Sequence, residues 1–400
     1  MVNNQKLLIR FESIKEKRMR ILAADDQPLI LKSIGHKLKA SGFEILYAAN
    51  GKEAIHQYNT YHPDLVILDL NMPVLSGFAV IEYIRVTKKD DTPIIVMSGN
   101  DEEDIIVDTF KLGVDDYIEK PVGLNEVLVR VKRLLKQPLN KEDFKQTVEE
   151  STTRTLQKKC VGVVIPCYNE ETRLLAKEFT DFAFANLGYH LCFVNDGSKD
   201  KTLEVLQNLS KGREDYISVY NCAVNGGKAE AVRQGVLHLA KDPQLDYIGY
   251  LDADLSTDFA DFEDLVKTIE TSEFKIVSGS RISRMGADIT KESARKIISK
   301  TINLIIRQIL GMSFQDTQCG AKIMEREIAE NMFNEKFVTR WLFDVEIFLR
   351  MKLYYGKDKV QQYICEQPLK RWIHADGSKL SMSDSVKILG QLLKIATHYK

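Results

Sequence analysis

Long apolar runs are missing from this sequence. No stretch approaches the roughly eighteen uninterrupted apolar residues of a membrane-spanning helix, so a span is not expected. The start, MVNNQKLLIRFESIKEKRMR, has no apolar core of signal-peptide length, which argues against secretion. An excess of one charge is missing too. A formal net charge of −1 over 400 residues offers no polyelectrolyte attraction to nucleic acid. Cysteine is sparse: Cys160, Cys167, Cys192, Cys222, Cys319 and Cys365 form no CxxC pair and no zinc-like cluster. Most sit in apolar, strand-like contexts, where cysteine serves as a small core residue, and this usage fits a reducing cytoplasm. The seven histidines are scattered, with none at metal-ligand spacing from another. What is present is an ordinary soluble composition, 44% hydrophobic and 28% charged, in a chain long enough for two or three domains.

From about residue 20 to 136, short apolar runs alternate with longer amphipathic ones. RILAA, FEILYA, LVILD, PIIVMS and DYIE read as strands; segments beginning near Pro28, Gly51, Gly77, Asp101 and Leu124 read as helices. Five βα repeats of this length predict a doubly wound parallel sheet. Residues 138–158 are rich in charge, Thr and Gln and read as a polar linker. A second strand–helix alternation follows in CVGVVIP, HLCFVN, YISVY, YIGYLD and FKIVSG, running into a more irregular, helix-rich tail. The two halves share only the α/β rhythm.

In the first half the polar residues fall at the carboxyl ends of strands. Asp25 and Asp26 follow the first, Asp69 ends the third, Ser98 ends the fourth and Lys120 follows the fifth. In a parallel sheet those ends meet at one edge. Three carboxylates repel one another unless a cation neutralises them, and Mg²⁺ suits an oxygen-only site. With Lys120 nearby, a carboxylate there can accept a phosphoryl group whose charge is already compensated. The constellation resembles the receiver domain of bacterial response regulators over nearly all of 19–137. By that resemblance Asp69 in LDLNMPVLSG is the phosphoacceptor, Asp25 and Asp26 hold Mg²⁺ with it, and Asn71 contributes its backbone carbonyl. Ser98 is then the switch hydroxyl, Tyr117 the switch aromatic and Lys120 the phosphate contact. The resemblance implies a sensor histidine kinase or phosphotransfer protein as partner, and leaves open a homodimer through this domain.

The second half opens with VGVVIPCYNEE (161–171), then CFVNDGSKDKT (192–202), then NGGKAEAVRQG (225–235). Backbone N–H groups at the start of the last helix, with Lys228 and Arg233, make a diphosphate cradle; taken alone, the glycines serve equally to make a turn. The eight-residue phosphate-loop pattern is lacking. LDADLST comes next. In an extended strand residues i and i+2 point to one side, so Asp252 and Asp254 address one point and suit a divalent metal against a diphosphate. The alternative is a helix cap, Asp254 or Ser256 starting a helix near Asp258.

PCYNE, NDGSKD, NGGK and DAD, in that order, resemble family-2 glycosyltransferases of GT-A fold over about 160–385. The resemblance implies that Pro166, Tyr168, Glu170 and Asp196 frame the nucleotide's base and ribose. Asp252 and Asp254 then hold nucleotide and a metal, Mg²⁺ or Mn²⁺, Asp254 being the direct ligand. Asn195 stands where many members carry Asp. SGSRI (278–282), DTQCGAKIM (316–324), RWLFDVEIF (340–348) and GSKLSM (377–382) resemble enzymes that glucosylate dolichyl or other polyprenyl phosphates. That points to UDP-glucose as donor, with GDP-mannose or another nucleotide sugar behind it. A phosphate monoester acceptor is already anionic, so it needs placement and charge compensation more than a strong base, and single displacement inverts the anomeric carbon.

Arg281, Lys322 and Arg371 are candidate anion contacts, and Gln318 and Cys319 are acceptor-side packing. Asp344 and Glu346 in FDVE either orient sugar hydroxyls, serve as base for an alcohol acceptor, or are buried acids satisfied by backbone. Segments 294–312 and 385–400 are basic and amphipathic, suited either to a membrane interface near a lipid substrate or to packing on their own domain.

The expectation is thus an α/β chain in five pieces: an extension (1–18), a (βα)5 receiver (19–137), a linker (138–158), a GT-A domain with a mixed, Rossmann-like sheet (159–384) and an amphipathic end (385–400). Its place is cytoplasmic, with peripheral attachment to the inner face of the membrane left open. The expected activity is phosphorylation-regulated hexose transfer to a polyprenyl phosphate. Transfer to a sugar or polysaccharide hydroxyl, and a non-catalytic nucleotide-sugar-binding output, are the alternatives.

Overall fold

The computed structural model describes residues 18–99, 103–139, 155–281, 288–289, 293–372 and 382–399. The expected N-terminal extension (except Arg18), most of the linker and nearly all of the GSKLSM segment lie outside them. The chain divides into two units, residues 1–158 and 159–400.

In the first unit the short apolar runs become β1 (Arg20–Ala24), β2 (Glu44–Ala48), β3 (Leu65–Leu68), β4 (Ile94–Ser98) and β5 (Asp116–Glu119). They form one sheet of order β2-β1-β3-β4-β5, parallel at every pairing. The helices between them are α1 (Pro28–Ala40), α2 (Gly51–Tyr61), α3 (Gly77–Glu82, continued by a π-helical turn) and α4 (Glu103–Lys111); after β5 come a two-residue strand, β6 (Val122–Gly123), and α5 (Leu124–Leu134). Local chemistry sets the boundaries. Pro28 stands at the start of α1, where its missing N–H costs nothing. Asn50 caps α2 by accepting the Glu53 N–H at 2.9 Å, while Glu53 reaches back to the Ala49 N–H at 2.9 Å. β3 and β4 are buried throughout, as strands covered on both faces must be.

The strand that leads into the second unit starts before residue 159. β7 (Thr155–Cys167) takes in the last residues of the expected linker. In chain order follow α6 (Ala176–Ala185), β8 (Asn186–Asp196), α7 (Thr202–Ser210), β9 (Ile217–Cys222), α8 (Lys228–Leu239), β10 (Tyr247–Leu251), α9 (Phe259–Glu270), β11 (Ile276–Ser280) and β12 (Asp288–Ile289). The tail holds α10 (Ser293–Leu310), β13 (Ala321–Glu325), α11 (Arg326–Phe333), α12 (Phe343–Tyr355), β14 (Ile364–Pro368), β15 (Arg371–Trp372) and α13 (Met382–His398). The sheet order is β14-β11-β13-β10-β7-β8-β9. It is mixed, because β13 runs antiparallel between β10 and β11.

Alternation along the strands gives this sheet two apolar faces. Val161, Val163, Ile165 and Cys167 join one core with Phe179, Phe193 and Phe262. Cys160 and Val164 face the other, with Tyr250, Val232 and Phe348. Ile306 and Leu310 of α10 and Ile388, Leu392 and Ile395 of α13 are buried in that second core. Both amphipathic segments therefore pack on their own unit, with Leu304, Leu389 and Leu393 exposed on them. No helix among the described residues is long and apolar enough to cross a membrane.

Candidate functional site

At the carboxyl edge of the first sheet, Asp25, Asp26 and Asp69 bring carboxylate oxygens within 4.8 Å of one another. Asp25 follows β1, and its Oδ1 accepts the Gln27 N–H at 2.9 Å; the Asp69 N–H bonds the Ala24 carbonyl at 2.8 Å. Lys120 Nζ donates to Asp25 Oδ2 at 2.7 Å and lies 3.9 Å from Asp69 Oδ1. Burial pushes the Asp69 carboxyl up to about 7; the Lys120 ammonium pulls against that, while Asp25 and Asp26 add to it. The all-oxygen donor set, with this excess of negative charge, fits a hard divalent cation. Ser98 is buried at the end of β4, and its carbonyl accepts the Lys120 N–H at 2.8 Å. Tyr117 is half-buried on β5 beside Val96, and Asn71 is exposed in the loop after Asp69.

The second site gathers loops at the ends of β7, β8 and β10. Pro166 lies within β7, and Tyr168, 40% exposed, follows it. The PCYNE and NDGSKD loops are laced together: Asn169 N–H donates to Ser198 Oγ at 3.1 Å, and Glu170 N–H to Thr202 Oγ1 at 2.7 Å. Burial raises the Glu170 carboxyl, Arg173 opposes this, and the charge of Asp254 adds to it, so Glu170 and Asp254 sense each other across loops.

Asp196 shapes the glycine turn. Its two oxygens accept the N–H groups of Gly226 at 2.8 Å and Gly227 at 2.9 Å, and its carbonyl accepts from Asn225 Nδ2 at 3.0 Å. Gly227 needs to be glycine because its φ is 86°. This turn starts α8 with Lys228, whose Nζ lies 2.5 Å from Asp252 Oδ1. Burial works against the Lys228 ammonium, but Asp252, with Asp344 and Asp254, outweighs it and holds the pKa above the usual lysine value.

The acidic pair is not on a strand. β10 ends at Leu251, and Asp252 begins a turn closed by the Leu255 N–H on the Asp252 carbonyl at 3.2 Å. The i, i+2 strand geometry expected for the pair gives way to a turn: the pairing with β13 ends at Leu251, and after the Asp252 N–H bond to the Gly320 carbonyl the chain bends away. Asp254 is exposed and accepts the Ser256 N–H at 3.0 Å; the cap of α9 is Asp258, which accepts from Asp261. Neither Asp254 nor Ser256 caps the helix.

The remaining cations are engaged. The Arg281 fork grips Asp316, with Nε to Oδ2 at 2.6 Å and Nη2 to Oδ1 at 2.8 Å. Arg233 bonds Glu230 at 3.1 Å and the Asn334 carbonyl at 2.7 Å. Lys322 is fully buried and donates to Asp344 Oδ1 at 2.6 Å and to the Cys319 carbonyl at 2.8 Å. Tyr250 donates to the same Asp344 oxygen. Glu346 accepts the N–H groups of Val338 and Thr339 at 2.8 and 2.9 Å, the Thr339 hydroxyl at 2.6 Å and the Tyr399 hydroxyl at 2.9 Å. Arg371 is exposed, with Nη1 3.8 Å from Asp258.

Sequence reasoning overlooked Gly320, Tyr250 and Arg340. A β-carbon on Gly320 would sit 1.9 Å from Asp252 Oδ2, so glycine is what admits the carboxylate there. Tyr250 is one residue inside the strand that LDADLST ends, an inward position by alternation. Arg340 opens the quoted RWLFDVEIF segment; its carbonyl accepts the Ala229 N–H at 3.3 Å.

A carboxylate cluster with a lysine on a five-stranded parallel sheet, and a glycine turn facing an acidic turn on a mixed sheet, define a receiver domain joined to a glycosyltransferase. The family model of the response regulator receiver domain matches residues 21–132, and that of glycosyl transferase family 2 matches 162–333. Dolichyl-phosphate beta-glucosyltransferase ALG5A of Trichomonas vaginalis is 34% identical over 257 residues, 60% of this chain and 74% of that one. Dolichyl-phosphate beta-glucosyltransferase of Dictyostelium discoideum is 30% identical over 254 residues, with the same shares. Transcriptional regulatory protein PrrA of Mycobacterium tuberculosis is 39% identical over 117 residues, 29% of this chain and 50% of that one. The chain belongs to glycosyl transferase family 2 and carries a response regulator receiver domain ahead of its transferase domain.

Proposed function

We propose that this protein is an inverting, metal-dependent hexosyltransferase that moves glucose from UDP-glucose to a polyprenyl phosphate, under the control of phosphorylation at Asp69. The observation that carries it is the Lys228–Asp252 pair beside the Asp196-bound glycine turn. The names of the two glucosyltransferase relatives supply the sugar and the acceptor class.

In this reading Glu170, Asp196, Tyr168 and Pro166 hold the nucleoside, and the Gly226–Lys228 turn faces the diphosphate. Asp252 and Asp254 would hold Mg²⁺ or Mn²⁺, which supplies charge compensation for the departing diphosphate. Lys228 adds positive charge beside it. The acceptor phosphate attacks the anomeric carbon in line, and its own charge makes a general base unnecessary. Asp344 supports this choice of acceptor over an alcohol: Lys322 and Tyr250 both hold its Oδ1, which suits an acid that positions its neighbours better than one that takes up a proton. In the receiver, Asp25, Asp26, Asp69 and the Asn71 carbonyl would hold Mg²⁺. A histidine kinase or phosphotransfer protein supplies the phosphoryl group to Asp69, with Ser98, Tyr117 and Lys120 reading the new charge. A lipid acceptor brings the enzyme to the cytoplasmic membrane surface.

The test is purified full-length protein with labelled UDP-glucose, Mg²⁺ or Mn²⁺ and a short polyprenyl phosphate. Label should enter the organic phase, and at low metal concentration Asp254→Asn should lose most of this transfer. Transfer to water-soluble acceptors alone would move the reading to a hydroxyl acceptor; donor binding without turnover would make the domain a sensor.

A further inference from the structure

The sequence singles out Lys228, Arg233, Arg281 and Lys322 as cations of the donor and acceptor sites. Each has a carboxylate partner: Asp252, Glu230, Asp316 and Asp344 respectively. Arg340 differs. It is exposed, and no hydrogen bond or ion pair among the described residues engages its guanidinium. Its aliphatic stem runs along the glycine turn, with Cβ, Cδ and Cγ 3.4, 3.5 and 3.6 Å from where a β-carbon of Gly227 would lie. Its carbonyl bonds the Ala229 N–H, in the first turn of α8, and its charge pulls down the carboxyl of Asp196, which burial otherwise raises.

The loop that presents it is firmly held. Glu346 takes both the Val338 and Thr339 N–H groups, two residues and one residue before Arg340, and the Thr339 hydroxyl. Arg350 ties the preceding residues down by donating to the carbonyls of Met332, Glu335 and Lys336. A held backbone with an uncommitted guanidinium, beside a glycine turn whose own N–H groups are taken up by Asp196, is an arrangement in which the arginine supplies the charge for an anion. The planar fork matches phosphate oxygens, and the loop backbone that carries it needs little further ordering on binding.

We propose that Arg340 is a phosphate contact for the nucleotide-sugar donor, reaching the diphosphate from beside Gly227, with Glu346 as its positioning residue. The inference rests on the donor-cleft reading above and adds to it a residue from outside the nucleotide motifs. It also assigns the second acid of FDVE: Glu346 sets the Arg340 loop, and Asp344 sets Lys322.

The experiment is calorimetric titration of the full-length protein, with Mn²⁺ present, by UDP, GDP, ADP and CDP, followed by the tightest of these on variants. Arg340→Gln should weaken that diphosphate about tenfold, the usual worth of a charge-assisted contact, and Arg340→Lys should lose less. The affinity of Arg340→Gln should also depend less steeply on salt, a readout that a merely structural arginine would not move. Circular dichroism checks that the variants fold, and the backbone bond to Ala229 survives either substitution. A loss below about threefold in Arg340→Gln overturns the proposal while leaving the donor cleft intact, provided transfer from the nucleotide sugar persists. A wild-type protein that binds none of the four diphosphates overturns both.

Discussion

Gly320 stands so close to Asp252 that a single methyl group would collide with the carboxylate, at 1.9 Å from Oδ2. The Asp252 N–H also bonds the Gly320 carbonyl at 3.1 Å, so the two residues are fixed to each other by backbone. Gly320→Ala should therefore push the Asp252 carboxylate off Lys228 and lower transfer by roughly a hundredfold, the scale of a small misplacement at a reacting centre. The far-ultraviolet circular dichroism spectrum should be unchanged. Radiolabel transfer and the spectrum, measured on the same preparation, check both halves.

Lys322 and Asp344 form an ion pair shut away from water. Lys322→Met leaves Asp344 charged and short of a partner, and should cost about 3–5 kcal/mol in denaturant unfolding of the second unit. Replacing Asp344 as well, in Lys322→Met with Asp344→Leu, should recover much of that stability while activity stays lost. Both tryptophans, Trp341 and Trp372, lie in this unit, so fluorescence reports on it alone.

Asp254 is exposed and, among the described residues, bonded only to its own turn through the Ser256 N–H. Asp254→Asn should keep that turn, because the amide oxygen accepts the same bond, and should fold as the wild type does. What it should lose is charge for a metal. The Mn²⁺ concentration giving half-maximal transfer should rise about tenfold or more, with donor affinity measured without metal unchanged.

The Asp69 carboxyl gives a pH dependence of definite sign. Its ordinary value is 3.8, and burial lifts it to about 7 in the folded unit. A folded-state pKa above the unfolded one means the native state holds the extra proton across that window. Receiver stability should therefore be fully present below about pH 4, fall as pH rises towards 7, and stay low above it. Asp69→Asn should remove this loss and be more stable at pH 8 by on the order of 3 kcal/mol in the absence of metal. Mg²⁺ should narrow the gap by stabilising the wild type. Calorimetry across pH, with and without Mg²⁺, checks the sign. The same variant should be blind to beryllofluoride if Asp69 controls the transferase rate.

Much of this was legible in the sequence for a physical reason. Asp25, Asp69 and Lys120 lie immediately beyond short strands with apolar centres, and parallel pairing brings such ends together whatever the details of packing. The strands of the second unit that carry motifs, β7 to β11, were legible in the same way. β13 was not: AKIME carries a lysine at its second position and a glutamate at its end, and this polar pattern hides that Lys322 is buried against Asp344. The acidic pair shows the limit from another side. Asp252 and Asp254 were expected on a strand edge and lie in a turn, because β10 ends at Leu251, where its pairing with β13 ends. Arg340 carried no local signal. Its place over Gly227 comes from a fold-back held by Glu346 and Tyr399, both remote from any nucleotide motif.

The antiparallel insertion of β13 has a consequence for synthesis. β10 is made long before its neighbour, so on the ribosome the strand leading to Asp252 waits with one edge unpaired while residues 252–320 are added. Unpaired edges of this kind attract other chains. Gly320, Lys322, Arg340 and Asp344 all arrive with or after the missing strand, which makes the cleft among the last parts of the protein to exist. A slow or faulty passage through that connection will show first as aggregated nascent chain and low yield, before any turnover is measured.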